Sequence, residues 1–322
     1  MKRSYRFIAL SVAVVAGLFF INADKSINKT ETPNKTEPHN NAVPLDKTLN
    51  DSAKSTSATY QIKALKIPDD LTFCGEKVEI DKTDIHERID RELLVNTYWQ
   101  SNALLWFKRT NKYFPVIEPI LKEKGVPDDF KYLSVIESDL RNVTSPAGAK
   151  GMWQMLKAPA RENGLEVNDN VDERYHLEKA TRAACDYLIT AKERLGSWTL
   201  AAAAYHAGNY GIEKRLKEQQ VESYYDVLAG ENTERYIPRI IAAKEILTHP
   251  EKYGFQFDRD DLYTLGPTYS VQVDTAITDI ASFAKKFDTN YKELKMYNPW
   301  LRENKLNNKT NRQYEIQIPG KK

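Results

Sequence analysis

Hydrophobic and polar positions fall into four textures along the chain. Phe7 to Ile21 (FIALSVAVVAGLFFI) is one uncharged apolar run behind Lys2, Arg3 and Arg6. It is shorter than the ~20 residues a membrane-spanning helix needs. A basic start and an apolar core of this length predict an export signal over residues 1–23. Cleavage after Ala23 is one outcome. An uncleaved membrane anchor is the other, because Ile21 is bulky for the third position before a cut. Residues 24–65 are rich in Asn, Thr, Lys and Pro and poor in large apolar residues. Such a segment buries too little surface to offset its ordering entropy, so it reads as a flexible linker.

From residue 66 the apolar positions take helical spacing. Ile85, Ile89, Leu93, Leu104 and Leu105 recur through 84–114, and Pro115 and Pro119 punctuate the helix that follows. Pro127-Asp128-Asp129 opens another, with a proline and acids where a helix N-terminus favours them. Further helices are expected over 176–195, 198–217 and 233–247. The run Ala201–Ala204 lets neighbouring helices approach closely, so its helix belongs at the centre of the body. Beyond Phe257 the texture changes again. Tyr269–Val273 alternates as a strand does, two short helices follow over 277–287 and 291–297, and Tyr314–Ile318 alternates once more. The expected architecture is mainly α: a helical body over 66–257 and a small βααβ module over 258–322.

Composition changes this picture little. The chain has 322 residues, 41% hydrophobic and 29% charged, with a net charge of +2. The apolar content lies just under the roughly 45–50% usual for globular chains, and the polar linker carries much of the deficit. The near-neutral balance leaves no electrostatic footprint for nucleic acid. The five histidines show no His-x-x-x-His pair and no cysteine partner at ligand spacing, so no metal or cofactor is expected. Cys74 and Cys185 are the only cysteines. An oxidising compartment favours a disulfide between them, closing a loop of about 110 residues with a chain-entropy gain of about 4–5 kcal/mol; two buried thiols are the alternative.

One carboxylate falls on an apolar stripe. In the helix that starts at Asp128, Phe130, Leu133 and Leu140 mark one face, and Glu137 lies on it. Desolvation raises the pKa of such a carboxyl, which suits a general acid. Helical spacing alone favours the other reading, a structural Glu paired with Arg141 at i+4.

The residues around Glu137 resemble the catalytic domain of the lytic murein transglycosylases, of goose-lysozyme-like fold, and within them the membrane-bound D group. Glu137-Ser138 matches the family's Glu-Ser pair at a helix end. Ser145-Pro-Ala-Gly-Ala-Lys-Gly-Met-Trp-Gln154 matches its glycine-rich segment, and Ala204-Tyr-His-Ala-Gly208 a later motif. Asn232-Thr-Glu-Arg-Tyr-Ile237 matches the last. His206 stands where the family usually has Asn, and Asn232 where it usually has Glu. The resemblance implies a peptidoglycan substrate, cut at the β-1,4 bond between N-acetylmuramic acid and N-acetylglucosamine. Glu137 would act first as acid and then as base, leaving a 1,6-anhydromuramyl end. It also implies that Ser145, Gln154 and His206 line the sugar groove, that Tyr205 holds the Glu137 carboxyl and that Tyr236 walls the groove. Asp169 and Asp172 keep a hydrolytic route open, and a non-catalytic wall-binding protein is the alternative of another class. The expected setting is the periplasm or cell envelope, and the expected state a monomer.

The C-terminal module is similar to a LysM domain in Leu294-x-x-x-Asn298-Pro299 and the closing Ile-x-Ile-Pro, but Val273-Asp274 replaces the usual Gly-Asp. It is expected either to bind N-acetylglucosamine chains or to cap the body.

Overall fold

The computed structural model describes residues 62–320. The export signal or anchor expected over 1–23, and nearly all of the linker expected over 24–65, lie outside them. The described residues from Ala64 onward form one compact unit.

A two-residue hairpin comes first, β1 (Thr72–Phe73) pairing antiparallel with β2 (Glu76–Lys77). The Glu76 carboxylate accepts the backbone N–H groups of Trp198 (2.6 Å) and Thr199 (2.9 Å). An acceptor there satisfies donors that a helix start leaves open. α1 (Thr83–Tyr98) buries Ile85, Ile89 and Leu93, the stripe read from the sequence. The expected continuity to 114 is corrected: the helix breaks at Trp99, and α2 (Gln100–Lys124) runs on through Pro115 and Pro119. Both prolines are solvent-exposed, on the side where a helix bends most easily away from its missing hydrogen bonds.

The central elements are shorter than their patterns. α3 (Lys131–Ser138) follows a single 3-10 turn. α4 (Lys157–Glu162) and the long α5 (Leu177–Leu195) come next. The helix expected over 198–217 is split at Gly208 (φ 77°, ψ 145°) into α6 (Trp198–Ala207) and α7 (Asn209–Gln219). α8 (Glu231–Glu234) and α9 (Tyr236–Thr248) complete the body. α6 lies at its centre: Ala201–Ala204 have no exposed surface, and α5 packs along them. α9 packs on α1 and α3.

The C-terminal module is β3 (Thr268–Val273), α10 (Ile280–Lys285), α11 (Tyr291–Tyr297) and β4 (Tyr314–Pro319), with β3 and β4 antiparallel. This is the expected βααβ order. Its core gathers Val273, Ile280, Leu294, Leu306, Ile316 and Ile318, and includes Val171 and Tyr175 from the body.

The cysteines do not bridge; both are free thiols. Cys74 occupies the β1–β2 turn at φ 54°, beside Asp129, Glu76 and Lys244. Cys185 is buried on α5, beside Asp186, Lys124 and Arg182. The two sit in separate surroundings, each with its thiol pushed up by burial. Among the described residues no helix is long and apolar enough to cross a membrane.

Candidate active site

Glu137 occupies the last turn of α3. The helix stops there because Asp139 (φ 51°) and Leu140 (φ 55°) both turn into the left-handed region. Non-glycine residues seldom adopt it without support. Here the support is visible: Trp106 Nε1 donates to Asp139 Oδ1 (2.8 Å), and Arg109 Nη1 donates to the Asp139 carbonyl (3.2 Å). Arg141 pairs with Asp139 (3.0 Å), so the alternative Glu137–Arg141 pair is not formed. Leu140 is buried, but as part of the turn and not of the helical stripe.

Glu137 is half-buried as a residue, and its carboxyl is packed in protein. Burial pushes its pKa up to about 7. A position at a helix C-terminus acts in the same direction, because the dipole there disfavours negative charge. Two influences oppose the rise: a hydrogen bond donated by the Tyr236 hydroxyl to Glu137 Oε1, and the nearby Arg239 guanidinium. Tyr236 comes from the first turn of α9, and its ring stacks on His206 at 4.7 Å and 21°. Burial, with Arg239 nearby, lowers the His206 pKa, favouring the neutral imidazole.

The hydroxyl that reaches Glu137 is therefore not the expected one. Tyr205 does not hold the carboxyl. Its hydroxyl donates to the Trp153 carbonyl (2.7 Å), and its ring meets Tyr187 edge-on. Tyr236 supplies the hydrogen bond to Glu137 instead. Trp153 is core, with no exposed surface and its indole N–H on Thr181 (2.9 Å).

The glycine-rich segment forms a tight loop beside Glu137. Ser138 Oγ ties the end of α3 to it, donating to the Met152 carbonyl (2.8 Å). Two of the three residues expected to line the sugar groove, Ser145 and Gln154, are engaged in shaping the loop. Ser145 Oγ accepts the Ala149 N–H (3.1 Å), and the Gln154 amide donates to the carbonyls of Gly151 (2.7 Å) and Val143 (3.1 Å). Gly151 (φ 80°) passes so close to the Arg174 carbonyl that a Cβ would lie 1.8 Å from that oxygen. Only glycine fits this approach.

No carboxylate figures among the influences on Glu137. Asp172 is buried, with both oxygens held by Arg174 at 2.9 and 2.7 Å, and Asp169 is exposed. The hydrolytic route thus loses Asp172 as a second carboxylate. Among the described residues no group of three or more His, Cys, Asp or Glu is placed to hold a metal. Sequence reasoning missed Ser138 as the tie to the loop, Arg239 as a charge near the carboxyl and the Asp172–Arg174 pair. Only Arg239 left a signal, three residues after Tyr236 on the same helix.

Residues 115–227 match the transglycosylase SLT domain, and residues 269–322 the soluble lytic transglycosylase C-terminal LysM-like domain. The membrane-bound lytic murein transglycosylase D of Escherichia coli strain K12 is 26% identical over 198 residues, covering 59% of this chain and 43% of that protein. The same figures hold for its counterpart in Escherichia coli O6:H1. A putative tributyltin chloride resistance protein of Alteromonas sp. strain M-1 is 28% identical over 109 residues, 33% of this chain and 53% of that one. The chain thus spans less than half the length of the first two relatives.

Proposed function

From a chain that carries a transglycosylase SLT domain and ends in the LysM-like domain of soluble lytic transglycosylases, we propose a peptidoglycan lytic transglycosylase of the cell envelope. The observation that carries this reading is the single carboxyl of Glu137, raised to about 7 and held by Tyr236. A carboxyl of that pKa is partly protonated near neutral pH, as a general acid must be.

The proton passes from Glu137 to the glycosidic oxygen, and the bond from that oxygen to C1 of the muramic acid breaks. The substrate's own acetamido group stabilises C1, as in substrate-assisted glycosidases. The Glu137 carboxylate then takes the proton of the muramic 6-hydroxyl, whose oxygen attacks C1. Proton and bonds balance without water, and the product is a 1,6-anhydromuramyl end. Neutral His206, stacked on Tyr236, forms part of the groove wall beside the reacting carboxyl. Arg239 and Tyr236 favour the ionised form of Glu137 for the second half of the reaction. Residues 1–23 act as signal or membrane tether, and the working unit is a monomer.

The test is digestion of purified sacculi with mass analysis of the fragments. Fragments lighter than hydrolytic products by one water are expected, and Glu137→Gln should release none. Reducing ends would favour a hydrolase; a wild type as silent as Glu137→Gln would favour a binding protein.

A further inference from the structure

The segment Asn170–Tyr175 is used on two sides. Towards the C-terminal module, the Asn170 carbonyl accepts the Arg302 N–H (2.9 Å), and Oδ1 accepts the Asn307 N–H (2.8 Å). Asn170 Nδ2 donates to the Lys305 carbonyl (2.8 Å) and to Glu303 Oε2 (3.1 Å). The Asp172 N–H donates to the Trp300 carbonyl (2.9 Å). Val171 pairs with Leu301 and is buried, with Tyr175, inside the module's own core.

On the other side the same segment grips the glycine-rich loop. Arg174 Nη1 donates to the carbonyls of Gly148 and Met155, both at 3.2 Å, while Asp172 holds its Nε and Nη2. A guanidinium fixed by a bidentate carboxylate presents its remaining donors in a set direction. The Tyr175 hydroxyl meets that of Thr144 (2.9 Å). The Tyr175 ring has Arg302 of the module over it at 4.1 Å and Lys150 of the loop at 5.9 Å. The loop in turn holds Ser138, next to Glu137, through the Met152 carbonyl.

We propose that the C-terminal module is a brace for the glycine-rich loop, with Asn170, Arg174 and Tyr175 as positioning residues between its docked surface and the turn bearing Glu137. The proposal rests on Glu137 being the reacting carboxyl. A separately acting sugar binder needs no residues of the body in its core, yet Val171 and Tyr175 complete this one. With the module detached, the Asn170–Tyr175 segment loses one of its two supports and Val171 is bared. The loop then loses the backing that fixes Arg174, and a misplacement near 1 Å at a reacting group costs on the order of 100-fold in rate.

The experiment uses the full chain with Asn170→Ala, purified sacculi as substrate, and amide hydrogen exchange. A roughly tenfold or larger fall in kcat is expected, within the range that misplacement allows, with KM and co-sedimentation with sacculi nearly unchanged. Exchange should quicken in residues 144–155 as well as in 300–308, while α5 and α6 stay protected. Unchanged kcat with faster exchange confined to 300–308 would overturn the brace. So would a raised KM and lost co-sedimentation at unchanged kcat, which would make the module a glycan binder. Loss of protection in α5 and α6 would also overturn it, because the residue would then serve the whole fold. If the wild type releases no fragments, the transglycosylase reading fails, and the exchange pattern alone decides whether the module supports the loop.

Discussion

Glu137 meets two opposed demands with one side chain. Burial holds its proton near neutral pH, and burial also penalises the charge that the proposed reaction requires it to carry. The folded pKa is raised from 4.5 to about 7. Between those values the folded protein keeps a proton that the unfolded chain has lost, so stability falls as pH rises through the window. Above about pH 7 the full penalty is present; well below pH 4.5 there is none. Glu137→Gln removes the ionisation and keeps an acceptor for Tyr236. It should therefore be more stable than wild type at pH 8, by on the order of 1–3 kcal/mol, and indistinguishable at pH 4. Melting curves at both pH values check this, and wild-type activity should decline as pH rises through about 7. At this scale Glu137 was legible as an acid on an apolar stripe, but spacing alone favours a structural pair with Arg141, and it is the order of the surrounding motifs that singles it out as the proposed acid. The roles of Tyr205 and Tyr236 were not legible. Both are large amphipathic residues beside the site, and only three-dimensional packing decides which hydroxyl reaches the carboxylate.

Elements were legible where periodicity was long and illegible where a single backbone angle ended them. The stripe of α1 and the central placement of α6 follow from spacing and side-chain size. The stop of α3 after Ser138 does not, because Asp139 is held at positive φ by contacts from α2 and Leu140 follows it into the same region. The same conformation occurs without such support at Gln220, an exposed residue at φ 56° that ends α7. Glycine carries no Cβ penalty there. Gln220→Gly should stabilise the body by about 0.5–1 kcal/mol, read as a small rise in Tm with activity unchanged. Pro115 and Pro119 mislead in the opposite sense: they suggest a boundary, but α2 continues through them with both residues at the surface.

At the scale of the molecule, body and module share a boundary built from both. The expected disulfide would have tied the hairpin to α5, yet the thiols sit in different surroundings and remain free. A reductant should accordingly shift the Tm by less than about 1 °C, whereas losing a disulfide of this span would remove about 4–5 kcal/mol. Thiol titration should find two reactive groups after unfolding and slow reaction before it, since burial pushes Cys185 up to about 12 and Cys74 higher still. The sequence by itself determined the helical body, the βααβ order and the presence of an acid, Glu137, on an apolar stripe. These rest on local periodicity and on residue types whose burial is informative. Tertiary structure alone decided which tyrosine binds Glu137, why Gly151 must be glycine and how Asn170–Tyr175 joins module to loop. Each of those depends on an approach between segments distant along the chain, and a contact of that kind leaves no period in the sequence.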